Sequence, residues 1–249
     1  MKLSGFQSLM CVVVLLYAAN AVCLPSTALD FEAASSDTVT LAASPATGMI
    51  NGFTVEAWAY PTTSTGTHRI LSNSQSGPNR GFGFGIRNNN WRFTTFGIKD
   101  YDTAAATVTT GTWTHLAITL DASNTATFYR NGVFLAAITH GAASVLSTST
   151  LTVGANPVGS EFWQGGIDEI RVWNHVRSQS QIAASMNNEL TGNETGLLLY
   201  LPFSEGSGIS TVDATPNTAN GTLNGPNWIT SGPSLSAPVT EAADWALYP

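Results

Sequence analysis

From Leu29 to Ile229 the chain is a succession of short apolar-rich runs, each closed by Gly, Pro, Asn or Ser. The run FTVEAWAYP, from Phe53 to Pro61, is one of them. From Trp113 to Leu120 the alternation is strict. Leu116, Ile118 and Leu120 fall on one face and His115, Ala117 and Thr119 on the other, as the two-residue period of a strand requires. After a turn at Asp121-Ala122-Ser123-Asn124, a second run covers Thr125 to Tyr129. Asn131-Gly132 then stands between two β-rich runs, a hairpin signal because both central residues of the tight turn take positive φ. The pattern predicts three adjacent antiparallel strands between Trp113 and Ile138. One segment breaks the period: Ser178-Gln179-Ser180-Gln181 has the form of a capping box, Ile182 and Met186 share a helical face, and Gly192 offers a stop. One short helix is predicted there. Many short strands with a single helix indicate an all-β sandwich or barrel, and no solenoid or propeller period is visible.

Ahead of this region, Lys2, the apolar run Leu9–Leu16 and the small residues Ala19-Asn20-Ala21 read as a secretory leader over residues 1–21. The run is too short for a membrane span, so the mature form is expected to be secreted, without membrane insertion. The sandwich is expected over 22–232. Beyond Gly232, the Pro-, Ser- and Ala-rich residues 233–249 read as an extended or disordered tail. Of two cysteines, Cys11 lies in the leader and Cys23 near its end, so no disulfide framework is expected in the sandwich. Val22 is bulky where a lipoprotein signal would want a small residue.

Charge narrows the partners. The chain has nine Lys and Arg against sixteen Asp and Glu, a net charge of −7. No basic stripe is present to release counterions from a polyanion, so a nucleic-acid partner is not expected, nor attraction to an anionic membrane surface. The hydrophobic share of 43% is enough for a full core, and Ser, Thr, Asn and Gly supply most of the polar surface.

The segment NNNWRFTTFGIKDYDT mixes aromatic and polar groups. Trp91 and Phe93 share one strand face, Arg92 and Thr94 the other, and Lys99, Asp100, Tyr101 and Asp102 read as a loop at a sheet edge. Aromatic rings stack on sugar faces while Arg, Asn and Asp satisfy hydroxyls, so Trp91, Arg92, Lys99, Asp100, Tyr101 and Asp102 are the expected ligand contacts; packing of the aromatics in the core is the competing reading. In GGIDEIRVW the period places Ile167, Glu169, Arg171 and Trp173 on one face, and Asp168 with Ile170 and Val172 on the other. Asp168 then needs a hydrogen-bonding partner or a metal. Glu169 with Arg171 reads as a surface ion pair of little weight, and Glu56 as an outward or edge residue. None of the four His pairs with another at metal-ligand spacing, and no Gly-x-Ser-x-Gly elbow occurs. Asn193-Glu194-Thr195 and Asn220-Gly221-Thr222 are sequons, so Asn193 and Asn220 are candidate glycosylation sites.

Five ordered pieces carry a family resemblance: ALDF with DTVTL, FTVEAWAYP, GTWTHLAITLDASNTATFYRNGVF, GGIDEIRVWNHVRSQSQI, and LLLYLPFSEGSG. Together they resemble the laminin-G-like, pentraxin-related domains of the concanavalin A-like superfamily. The resemblance implies a two-sheet antiparallel jelly-roll sandwich, hosting sugar-binding modules, adhesion domains and extracellular spacers. It also implies a structural Ca²⁺ held by Asp168 with oxygens of the N-terminal segment, here Asp30 and Glu32. This chain has Glu32-Ala33 where the family has Asp-Gly. The Glu-x-Asp-x-x-Glu of related laminarinase-type enzymes is absent, as is a sialidase Asp box. The expected function is a secreted, non-catalytic glycan-binding or adhesion module whose partner is an extracellular glycan or glycoprotein. The alternatives are a polysaccharide-degrading enzyme using acids such as Asp100 and Asp102, or a structural component of a matrix or surface layer.

Overall fold

The computed structural model describes residues 26–44, 48–49, 52–73, 81–104, 107–145 and 150–238. The expected leader, both cysteines and residues 239–249 lie outside the described residues. The first strands are β1 (Ala28–Phe31), β2 (Thr38–Leu41), β3 (Phe53–Pro61), β4 (Thr67–Ser72), β5 (Phe82–Arg87), β6 (Asn90–Thr95), β7 (Lys99–Asp102) and β8 (Thr114–Leu120). They are followed by β9 (Thr125–Arg130), β10 (Val133–Thr139), β11 (Thr152–Val153), β12 (Gly165–Trp173), helix α1 (Gln179–Ser185), β13 (Leu197–Leu201), β14 (Ser210–Thr211), β15 (Gly221–Asn224) and β16 (Asn227–Ile229). Two eight-stranded antiparallel sheets result. The first runs β10-β9-β8-β3-β12-β1-β16, with β13 also paired to β12; the second runs β14-β15-β2-β11-β4-β5-β6-β7.

The sheets pack through the alternate positions that the period marks as apolar. Phe53, Val55, Ala57 and Ala59 of β3 and Leu116 and Ile118 of β8 face Phe82, Phe84 and Ile86 of β5 and Trp91 and Phe93 of β6 in one buried cluster. Phe53 bridges the layers, 6.2 Å from Phe82 and 5.8 Å from Phe93 between ring centroids. Such tilted aromatic contacts add to plain area burial.

The three strands expected between Trp113 and Ile138 are β8, β9 and β10. Their Asn131-Gly132 turn has φ of 50° and 72°, and Asn131 Oδ1 accepts the His115 amide at 2.9 Å. Helix α1 starts as its capping box requires: the Gln181 amide donates to Ser178 Oγ at 3.2 Å, and the Ser178 amide donates to Gln181 Oε1 at 2.8 Å. Its C-cap is Met186, well before Gly192, so the expected stop came too late. Ser178→Ala is expected to lower stability by about 1 kcal/mol, read as a shift of the urea midpoint at unchanged slope.

Strand β12 carries a bulge between Asp168 and Arg171, with Glu169 at φ 54°. The extra residue shifts the alternation, so Ile167, Ile170 and Val172 all enter the core. This corrects the strict two-residue reading, which placed Asp168 on the face of Ile170 and Val172. Asp168 instead shares the outer face with its register partner Trp58, beneath α1 and the segment after it. The first residues of the expected tail also lie here: Leu235 is buried, the Ser236 amide donates to the Asn187 carbonyl at 2.8 Å, and the Glu189 amide to the Ser236 carbonyl at 3.0 Å.

Candidate functional site

The outer face of the second sheet carries a groove of about 430 Å³ lined by residues of β4 to β7, the turn between β6 and β7, and Glu161. Its floor follows from the sequence FGFGIR. Phe82, Phe84 and Ile86 go inward, which leaves Gly83 and Gly85 outward on β5. One row of register partners crosses four strands as Arg69, Gly85, Arg92 and Asp102; the next contains Gly83, Thr94 and Asp100. Glycine here is a matter of space. A Cβ on Gly83 would lie 2.9 Å from Arg69 Nη1 and 3.0 Å from Phe96 Cζ. The bare backbone lets the Arg69 side chain lie flat, with its guanidinium 5.2 Å from the Phe96 ring centre.

Both arginines are held rigidly. Arg92 donates from Nε and Nη2 to the two oxygens of Asp102, each at 2.6 Å, and its Nη1 lies 2.9 Å from Asp100 Oδ2. Burial works against the Arg92 charge, but Asp102 and Asp100 outweigh it and push its pKa further up. Arg69 donates from Nε to Glu161 Oε2 at 2.6 Å and from Nη1 to Thr94 Oγ1 at 3.0 Å. Thr94 Oγ1 in turn donates to Asp100 Oδ1 at 2.8 Å. The two side chains are 2% and 6% exposed as residues, although they lie on an outer sheet face. A bidentate guanidinium pair fixes direction as well as charge, which a lysine would not.

The six residues expected to contact ligand divide between the two faces. Arg92, Lys99 and Asp100 line the groove, and Asp102 orients Arg92. Trp91 and Tyr101 are fully buried in the core, so the aromatic half of that expectation is corrected: the face was separated rightly, but it is the inner one. Residues 99–102 are the edge strand β7 hydrogen-bonded to β6, where a loop was expected. Three charged groove residues, Arg69, Arg87 and Glu161, were missed. Arg69 sits in a strand whose register slips between Arg69 and Leu71, which hides its face. Glu161 stands in a connection with φ 57°, a conformation no residue pattern announced. Two further cavities lack the pair of fixed, outward guanidiniums. One is lined by Trp173, His175 and Arg177, with Arg177 already committed to Glu56. The other lies among Met49, Phe53, Leu120, Asp121, Asn124 and Ser144 and holds no Arg or Lys.

The outer face of the first sheet holds a buried ionic network under α1. Glu56, expected outward, is indeed on that face but fully buried; its Oε1 accepts from Arg177 Nη1 at 2.6 Å, and its Oε2 is 3.3 Å from His115 Nε2. Burial tends to raise the Glu56 pKa, yet Arg177 and His115 hold it well below the usual carboxylate range. Arg177 lies 4.1 Å over the Trp173 ring and also donates to the Gln181 carbonyl and Ser185 Oγ, each at 3.0 Å. Glu169 and Arg171, expected as a surface pair, are both buried; Tyr200 Oη donates to Glu169 Oε1 at 2.7 Å, and Arg171 donates to the Ser185 and Asn188 carbonyls at 3.0 and 2.6 Å.

Of the residues expected to hold calcium, Asp30 lies on β1 opposite Gly166, two residues before Asp168 on the adjacent strand β12. Asp30 is exposed on β1; partial desolvation by its surroundings, and then the Glu32 and Asp37 charges, push its pKa up. The amides of Glu32 and Ala33 donate to Asp37 Oδ2 at 2.8 Å and to Gln164 Oε1 at 2.9 Å. Asp168 is instead fully buried beside Glu169, Arg171 and Glu189. Among the described residues no three His, Cys, Asp or Glu side chains gather closely enough to hold a metal, so Asp30, Glu32 and Asp168 do not fit calcium as one donor set. The sequon residues Asn193 and Asn220 are both exposed.

Comparison with known proteins places this geometry. A model of the concanavalin A-like lectin/glucanases superfamily matches residues 33–183. No curated protein matches the sequence. Among solved structures, a candidate carbohydrate-binding protein from Bacteroides ovatus is similar with a TM-score of 0.67 at 21% identity, over 86% of this chain and 61% of that one. The chain thus spans less than two thirds of that protein's length. The native heptameric SAP-like pentraxin of Limulus polyphemus is similar with a TM-score of 0.52 at 14% identity, over 66% of this chain and 82% of that one. A K499G mutant of NanB sialidase from Streptococcus pneumoniae is similar with a TM-score of 0.50 at 15% identity, over 70% of this chain and 30% of that one. At these identities the structures share the fold. The family match covers more than half of the chain, with the same two-sheet sandwich behind it, and the chain belongs to the laminin-G-like branch of the concanavalin A-like lectin/glucanases superfamily.

Proposed function

We propose that the chain is a secreted, non-catalytic glycan-binding module that takes its ligand in the β4–β7 groove. The observation that carries this reading is the groove itself: a glycine floor with two pre-oriented guanidiniums and the half-buried Phe96 ring. A sugar presents one apolar face and many hydroxyls, which suits a ring beside fixed donors and acceptors. Superfamily neighbours described as carbohydrate-binding are in keeping with it. A hydrolase needs two carboxyl groups free to flank the scissile bond. Here Asp100, Asp102 and Glu161 are each engaged by an arginine, an arrangement that serves binding. Secretion rests on Lys2, the run Leu9–Leu16 and the small residues after it.

A glycan array probed with the purified chain tests the proposal. At least one glycan class should bind, and Phe96→Ala, which opens the groove wall, should weaken that binding about tenfold, as for loss of one stacking contact. Silence on every glycan, or binding untouched by Phe96→Ala and by Lys99→Ala, would refute it.

A further inference from the structure

The charge of the groove is out of character with the rest of the chain. The sequence has only nine Lys and Arg and a net charge of −7, yet Arg69, Arg87, Arg92 and Lys99 all line this groove. Against these four cations stand three carboxylates, Asp100, Asp102 and Glu161. The pairing is unequal. Asp100 and Asp102 both serve Arg92, and Glu161 serves Arg69. Arg87 and Lys99 have no ion-pair partner among the described residues, and Arg69 Nη2 has no hydrogen-bond partner among them. The groove is therefore a local positive field on an acidic protein, an arrangement that attracts anions.

Resting on the glycan-binding reading above, we propose that the ligand is an acidic oligosaccharide whose sugars carry carboxylates. Hydroxyls of such a chain donate to the exposed edges of Asp100 and Glu161, whose side chains are 44% and 29% exposed. Its carboxylates accept from the cations that internal pairing leaves open. A guanidinium matches a planar carboxylate in shape as well as charge, and Arg69, fixed by Glu161, Thr94 and Phe96, offers Nη2 with little left to order on binding. Arg87 closes β5 on the outward row, two residues beyond Gly85, the register partner of Arg69. That spacing is about 7 Å at ~3.4 Å per residue. Lys99, which pairs with Thr95 in the row of Phe82, stands at the other end of the groove on the edge strand. Two open guanidinium sites in sequence suit successive acidic units of a chain better than one terminal acid.

Titration calorimetry with polygalacturonate and alginate oligosaccharides, their carboxyl-reduced forms, sulfated glycans and neutral β-glucans tests this. Binding is expected to the carboxylated set, to fall about tenfold or more on carboxyl reduction, and to weaken with added salt. Arg87→Glu and Lys99→Glu, both at the rim, should each lower affinity for the acidic set about tenfold while the unfolding midpoint stays put. Equal binding of carboxylated and reduced forms, or binding of neutral glucans alone, would overturn the acidic ligand and leave the groove as a neutral-glycan site. A preference for sulfated over carboxylated chains would also overturn it. Binding to no glycan at all removes the underlying reading as well.

Discussion

Arg177→Met alone is expected to destabilise the protein by about 3–5 kcal/mol, the range for stripping one partner from a buried ion pair. The reason lies in what remains. Glu56 is fully buried at the centre of β3, and Arg177 is its one arginine contact, at 2.6 Å. Burial makes His115 a poor substitute cation, because it pushes that pKa down more than Glu56 raises it. Arg177 also fastens α1 to the sheet through the Gln181 carbonyl and Ser185 Oγ, so the helix loses its attachment in the same step. The double variant Glu56→Gln with Arg177→Met should recover most of the loss, since replacing both charges leaves no uncompensated one behind. Urea unfolding of the single and double variants gives the coupling directly. If the two losses add, Glu56 and Arg177 do not act as a coupled pair.

Much of this arrangement could be read from residue patterns, and what could not has identifiable causes. The β8–β10 meander was legible because alternation is strict there and Asn131-Gly132 dictates its own turn. The capping box was legible because Ser178 and Gln181 act within four residues of each other. Strand β12 was not, because a period of two is broken by one bulged residue at Glu169 and every later side chain changes face. Burial of Glu56, Glu169 and Arg171 was hidden for another reason. Local alternation places a side chain outward, but only the later docking of α1 and residues 186–190 decides that outward is not exposed. In the groove, the separation of Trp91 and Phe93 from Arg92 and Thr94 was correct. Which side met solvent depended on a second sheet that no local pattern contains. Arg69 and Arg92 are 23 residues apart in sequence and become row partners only through β5.

Asp168→Asn is expected to stabilise the protein by about 1–3 kcal/mol near neutral pH, the usual cost of a buried polar group left unsatisfied. Asp168 Oδ1 accepts the Glu169 amide at 3.0 Å, whereas Oδ2 is buried without a partner among the described residues. Burial first, and the neighbouring Glu169 carboxylate second, push the Asp168 pKa well up. An Asn keeps the accepting oxygen and replaces the unpartnered one with an amide that can donate toward Glu169 or Glu189. The sign of the pH dependence follows. A carboxyl whose folded pKa lies above its unfolded value binds its proton more tightly in the folded state, so its contribution is fully present below about pH 3.8, the unfolded value, and is lost as pH rises through the folded pKa. The advantage of Asn over Asp should therefore be small near pH 4 and grow toward neutrality. Thermal unfolding of both forms from pH 4 to pH 8 measures it. The same series separates this account from the calcium role that the family resemblance implies for Asp168. Were Asp168 a ligand, Asp168→Asn would destabilise at neutral pH and a chelator would lower the wild-type midpoint to match. Since no three acidic or His side chains gather around Asp168 among the described residues, the wild-type midpoint is expected to be indifferent to chelator, and the substitution to raise it.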